Sequence, residues 1–246
     1  MTASIESANV VGYKTDALAG DNFNMIAIPF TTVTGENIDL NDGSVVFENL
    51  IEGEYAGADC DYIEIWNPAN DGYTFHFYYP GEGWTDESGN GYFSDDYPEG
   101  LPAGAAMWLD AYNGEREGQL KVTFSGAVEA SESVSYELVG NNFNMLANPY
   151  PVAWNPNNDS ITWTGVIEGE YAGADCDYIE VWNPANDGYT FHFLYPGEGW
   201  TDESGNGYFE DDYPEGLPAG TPVWFDAFDG EREAKLSVTF SSPISK

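Results

Sequence analysis

The chain contains the same long segment twice. Residues 51–128 align without a gap to residues 167–244 at an offset of 116, and only 15 of those 78 positions differ. Upstream, G-D-N-F-N-M-I-A-I-P-F (20–30) matches G-N-N-F-N-M-L-A-N-P-Y (140–150) at an offset of 120. The second copy is therefore four residues shorter between Pro149 and Ile167 than the first is between Pro29 and Ile51, a difference that a surface loop absorbs. A solenoid unit spans roughly 20–50 residues, whereas a unit of about 100 residues can close a core of its own. The repeat predicts two homologous domains in tandem, 1–128 and 129–246, joined near S-G-A-V-E-A-S-E-S (125–133).

Within a copy the apolar pattern has a period of two, the signature of strands. Asn22–Ile28, Tyr62–Trp66, Tyr73–Tyr79, Ala105–Tyr112 and Gln119–Phe124 all read this way. In the second run Ile63 and Ile65 alternate with Tyr62, Glu64 and Trp66. In the third, Tyr73, Phe75, Phe77 and Tyr79 share one face while Thr74, His76 and Tyr78 share the other. Between these runs N-P-A-N-D-G supplies, through Asp71-Gly72, the positive φ of a tight hairpin. No segment carries a clear 3.6-residue stripe, and Ile38–Ile51 is the one place where a short helix is expected. The 28 Gly and 14 Pro punctuate turns. The expected fold is all-β, with two β-sandwich or barrel-like domains of six or seven strands each.

Charge narrows the function. There are 43 Asp+Glu against 6 Lys+Arg, a net charge of −37. A protein that neutralises phosphates needs a Lys/Arg surface, so nucleic acid is excluded as a partner. Docking on an anionic membrane is disfavoured on the same ground, and no stretch approaches the roughly 18 apolar residues of a membrane span. Such a surface repels itself and gains from salt or divalent cations; it fits life in high salt, a cation-binding surface or a coat kept from self-adhesion. Hydrophobic residues still make up 42%, ample for a packed core. Cys60 and Cys176 lie in identical A-D-C-D-Y-I-E contexts. They read as one small buried residue per copy, and a bridge between them would need the copies to face each other at that point.

One resemblance covers nearly all of both copies. Asn148-Pro149-Tyr150-Pro151, Trp154, Val181-Trp182-Asn183-Pro184 and Pro218-Ala219-Gly220 resemble a tandem β module of secreted and surface proteins of the Bacteroidetes and Verrucomicrobia–Lentisphaerae type. The opening Ser7-Ala8-Asn9-Val10-Val11-Gly12-Tyr13 looks like the mature start of such proteins. The resemblance implies an extracellular or cell-surface setting and a binding, adhesive or structural role. It carries no settled activity. The acidity exceeds what that family leads one to expect. Met1–Ser4 shows no basic-then-apolar leader, so the expected location rests on the resemblance.

The sharpest local motif runs from Asp86 to Asp96 and recurs from Asp202 to Asp212. Asp86, Ser88 and Asn90 stand at positions 1, 3 and 5 with Gly91 at 6, as in the first half of a calcium loop, which wants six to eight oxygens. Tyr92 would add a carbonyl and Asp96 a carboxylate; Asp202, Ser204, Asn206, Tyr208 and Asp212 repeat the set. Position 12 is Tyr97 rather than a bidentate Glu, and a plain Ser-Gly-Asn-Gly turn explains the same residues. Trp84, Tyr97, Trp200 and Tyr213 are candidates for a sugar-stacking platform, with core packing as the competing explanation. His76 and His192 sit mid-strand and are expected to make local hydrogen bonds. No nucleophile constellation, phosphate loop or zinc spacing is present in the sequence.

The first functional expectation is a non-enzymatic secreted or cell-surface β-repeat protein with a structural or adhesive role, as a fibre or surface-layer subunit. Its partners would be copies of itself, through an edge at Ser4–Tyr13, or an extracellular glycan or protein. The alternative is a carbohydrate-binding module, calcium-dependent or not.

Overall fold

A computed structural model describes residues 11–243. The first copy comprises β1 (Val11–Ala17), β2 (Phe23–Ala27), β3 (Val45–Glu48), β4 (Tyr62–Asn67), β5 (Gly72–Tyr79), β6 (Gly83–Thr85), a single helical turn α1 (Phe93–Asp96), β7 (Ala106–Asp110) and β8 (Lys121–Ala127). The second repeats it as β9 (Ser133–Glu137), β10 (Phe143–Leu146), β11 (Ile161–Thr164), β12 (Tyr178–Asn183), β13 (Gly188–Tyr195), β14 (Gly199–Thr201), α2 (Phe209–Asp212), β15 (Val223–Asp226) and β16 (Ser237–Ser241). Each copy is a sandwich of a three-stranded sheet, β1-β8-β3 or β9-β16-β11, on a five-stranded sheet, β2-β7-β4-β5-β6 or β10-β15-β12-β13-β14. All named pairings are antiparallel, and the sandwiches are open rather than closed into barrels.

The two main cores are separate. Ile28, Ile63, Met107, Leu109, Val122 and Phe124 belong to one; Ile179, Val223, Phe225, Val238 and Phe240 belong to the other. The hairpin between β4 and β5 forms as expected, with positive φ at Asp71 and again at Asp187. Among the described residues each copy has eight strands rather than six or seven. The helix expected within Ile38–Ile51 is absent: Ile38 bridges to Leu101, and Val45–Glu48 pairs with β8. Val45 is buried there and Phe47 packs against the core, a period-two arrangement that a helix would break. Val11–Tyr13 of the expected edge segment lies on edge strand β1; residues 4–10 lie outside the described part.

A buried ion pair ties the strand ends together. Arg116 donates through both terminal nitrogens to Asp61, at 2.7 and 2.6 Å. Asp61 also accepts from the backbone N–H of Ile51 and Tyr112, while Arg116 donates to the carbonyls of Gly20, Asn49 and Tyr112. Asp61 immediately precedes β4 and Tyr112 follows β7 by two residues, so the pair clamps the end where those strands start and stop. Arg232 and Asp177 repeat the two-point pairing, with Arg232 reaching two carbonyls, those of Gly165 and Phe228. A planar guanidinium is suited to this because it satisfies a carboxylate at two points.

Removing Arg116 leaves Asp61 buried without its counter-charge, a loss of about 3–5 kcal/mol. Arg116→Met is therefore expected to lower the unfolding free energy of the first copy, measured by urea titration, by that amount, and Arg232→Met that of the second. A change under about 1 kcal/mol, the scale of an exposed pair, would show that the clamp does not hold the strands.

Candidate functional site

The outward faces of the five-stranded sheets are not polar. On β4 the inward residues are Ile63 and Ile65, and the outward ones are Tyr62, Glu64 and Trp66. Register then places neighbours side by side: Glu64 opposite Trp108 on β7, Trp66 opposite Tyr73 on β5, and Phe23 on β2 opposite Asp110. The second copy does the same with Glu180 and Trp224, Trp182 and Tyr189, and Phe143 and Asp226.

These two faces meet. Trp66 Nε1 donates to the Phe143 carbonyl at 2.7 Å, and Trp182 Nε1 donates to the Phe23 carbonyl at 3.1 Å. Asn142 reaches the Pro68 carbonyl at 2.8 Å, and Asn22 reaches that of Pro184 at 3.4 Å. Each bond has its counterpart with the copies exchanged, which is the signature of a two-fold contact. Ring pairs repeat the exchange: Trp66 meets Trp224 edge-on at 5.8 Å, and Trp108 meets Trp182 at 5.4 Å. To one side, Met145 packs on Ala27, Ala106 and Ala147, and Tyr136 donates to the Ala103 carbonyl.

Around this pseudo-dyad lies a cleft of about 520 Å³. Its lining is the same five residues contributed twice: Phe23 and Phe143, Glu64 and Glu180, Trp66 and Trp182, Tyr73 and Tyr189, Trp108 and Trp224. The rings stand near right angles, as Phe23 on Trp108 and Phe143 on Trp224 show. Two of the four indole N–H groups, those of Trp66 and Trp182, are thus committed to the backbone of the opposite copy.

The two glutamates are the charged residues of the lining. Burial pushes the Glu180 carboxyl up to about 7, helped by the negative charge of Asp226 and opposed by a hydrogen bond from Tyr178. Glu64 is raised by burial and by Asp110, against a hydrogen bond from Tyr62. Asp110 and Asp226 are raised as well, first by burial. The basic residues Lys14, Arg116, Lys121, Arg232 and Lys235 pair with Asp16, Asp61, Glu48, Asp177 and Glu137. None of the five pairs with a cleft glutamate.

The residues singled out from sequence lie elsewhere. Trp84 and Trp200 are each 1% exposed and pack on Phe47 and Tyr78, and on Trp163 and Phe225. A ring so enclosed has no face for a sugar, so the stacking expectation for them is corrected. Tyr97 and Tyr213 are half-buried against Phe93 and Phe209. In the 86–96 loop the structure gathers Asp86, Ser88 and Asn90. Asp86 Oδ1 accepts from the Ser88 hydroxyl at 2.7 Å and from the backbone of Ser88 and Gly91. The Ser88 hydroxyl bond, with these backbone donors, holds the Asp86 carboxyl below its usual value. Tyr92 and Asp96 do not join them: the Tyr92 carbonyl accepts from Asp95 N and Asp96 bonds His76 at 3.1 Å. Asp202, Ser204, Asn206, Tyr208 and Asp212 divide in the same way. Among the described residues no group of three or more His, Cys, Asp or Glu stands where it would hold a metal. His76 and His192 are buried with local partners, as expected, and Cys60 and Cys176 are free and buried.

The cleft residues were readable in one respect: strands with aliphatic residues on one face and aromatics on the other must be covered on both sides. Comparison with protein-family models, with curated proteins and with solved structures finds no match.

Two measurements follow from this geometry. With two of its five expected ligands turned elsewhere, the 86–96 loop is expected to give millimolar calcium no advantage over sodium at matched ionic strength; a larger rise in Tm with calcium would reinstate the loop as a site. Glu180 gives a pH signature. Between the ordinary glutamate range and about 7 the unfolded chain releases a proton that the folded chain keeps. This contribution is complete at lower pH, falls as pH rises through the window and is level above it. The difference in urea midpoint between wild type and Glu180→Gln should decline from pH 5 to 7; a difference constant from pH 5 to 8 would show an ordinary carboxylate.

Proposed function

We propose that the protein is a non-enzymatic, secreted or cell-surface binding protein in which two sandwich copies jointly form one ligand site. The observation that carries this reading is the doubled lining of the cleft. Large concave sites walled by aromatics, with a few placed polar groups, are the usual form of a small-molecule site, and they favour domain interfaces. The extracellular setting is supported by the family resemblance of the N-P-Y-P, W-N-P and P-A-G motifs. Among the described residues no helix is long and apolar enough to cross a membrane. The two histidines lie inside the separate sandwiches and not in the cleft lining, so the cleft's acids have no imidazole to work with.

A second reading, a structural or adhesive assembly, is favoured by edge strand β1, where Val11 and Tyr13 are 64% and 79% exposed. An apolar edge is a template for pairing with another chain.

Titration with a panel of choline, tetramethylammonium, glucose and cellobiose, followed by tryptophan fluorescence, separates these. The cleft predicts a saturable response to at least one member of the panel, lost in the double variant Tyr73→Ala/Tyr189→Ala. No response to any member, with concentration-dependent filaments in sedimentation and electron microscopy, would transfer the function to the edge strand.

A further inference from the structure

The chemistry of the lining narrows the ligand further, on the premise that the cleft is a binding site. We infer that the cleft takes an organic cation, a quaternary or N-methylated ammonium group, and that one such ligand binds per chain. Ring faces carry negative quadrupole potential and attract a cation within about 6 Å. Trp66, Trp108, Trp182 and Trp224 present such rings in near-perpendicular pairs, the arrangement that surrounds a round, methylated headgroup rather than stacking on a flat one.

The carboxylates complete the case. Glu64 and Glu180 line the same cleft from opposite copies, and each lies beside a further acid, Asp110 or Asp226. These charges are partly withdrawn from water, and among the described residues no basic side chain pairs with them. Their proton affinity is raised, and a soft, weakly hydrated cation relieves the same excess of negative charge. A neutral sugar is served less well. Its hydroxyls need several donors and acceptors, yet two of the four indole N–H groups of the lining are already spent on the Phe143 and Phe23 carbonyls. Anionic and zwitterionic ligands meet a chain of net charge −37, which disfavours the negative end of a betaine. The stoichiometry follows from the dyad: two sequence copies build one cleft.

Isothermal titration with choline and tetramethylammonium tests this, with 3,3-dimethyl-1-butanol as the neutral isostere of choline, glycine betaine as the zwitterion, and cellobiose. The expected result is one cation per chain. The isostere and betaine should bind at least about tenfold more weakly, a gap set by the cation–ring and carboxylate attraction. The double variant Glu64→Gln/Glu180→Gln preserves shape and should weaken choline by about tenfold or more while its near-UV spectrum stays native. Choline affinity should also fall from pH 8 to pH 5 as Glu64 and Glu180 take up protons beside Asp110, Asp226, Tyr62, Tyr178, Tyr73 and Tyr189. Equal binding of choline and its isostere, binding of cellobiose alone, or two cations per chain would overturn the cation assignment and leave the cleft a binding site. Heat and fluorescence silent for every probe would remove both.

Discussion

The buried pairing of Arg116 with Asp61, and of Arg232 with Asp177, is the constraint on which the rest depends. It sits where β4 begins and β7 ends, and the mutual register of those strands decides what stands beside what on the outer face. A slip of one residue in a strand turns every side chain to the opposite face. It would bury Glu64 and Trp66 in the sandwich and expose Ile63 and Ile65. An ion pair of this kind adds little net stability compared with apolar packing, because desolvation offsets the attraction. Its value here is positional: in the first copy the carboxylate collects two backbone N–H groups and the guanidinium three carbonyls, so loops from four parts of the chain share one anchor. In a chain with 6 basic residues, two are used in this way.

With the register held, duplication does the rest. One sandwich presents an outward patch of Phe23, Glu64, Trp66, Tyr73 and Trp108, a shallow aromatic surface with an acid in it. A second copy turned about a dyad supplies the missing walls, and the exchanged indole-to-carbonyl bonds fix the spacing. Three layers of physics thus meet at Trp66: strand alternation points it outward, its N–H locks the opposite copy in place, and its ring lines the cavity. The cleft belongs to neither copy alone.

Much of the fold was legible. The offset of 116 and the period-two runs point directly to two antiparallel β units, and the Asp71-Gly72 turn is where a hairpin needs one. Val45–Glu48 misled because D-G-S-V-V-F-E-N-L-I packs apolar residues closely enough to mimic a helical face; tertiary pairing with β8 decided otherwise. The site was less legible. The 86–96 loop has the spacing of a cation loop, but spacing cannot show that Asp96 is claimed by His76 or the Tyr92 carbonyl by a helical turn. Trp84 looks like a stacking residue until its neighbours enclose it. The outward aromatics of β4 and β5 carried the signal. Two apolar faces on one strand demand two covers, and the second cover is the other copy.

The same doubling explains how so acidic a chain keeps an internal interface. Two free domains of like charge would repel, and an aromatic patch of this modest size would associate weakly against that repulsion. Joining them through the short segment between Ala127 and Ser133 replaces a bimolecular encounter with an intramolecular one, at an effective concentration in the millimolar range for a short linker. The tether allows the interface to retain what an optimised dimer contact would discard: a cavity, and two partly desolvated carboxylates without basic partners among the described residues. Unfavourable features kept at the centre of a contact are the places where a structure stores a use. Here that use is attraction of positive charge into a space walled by rings.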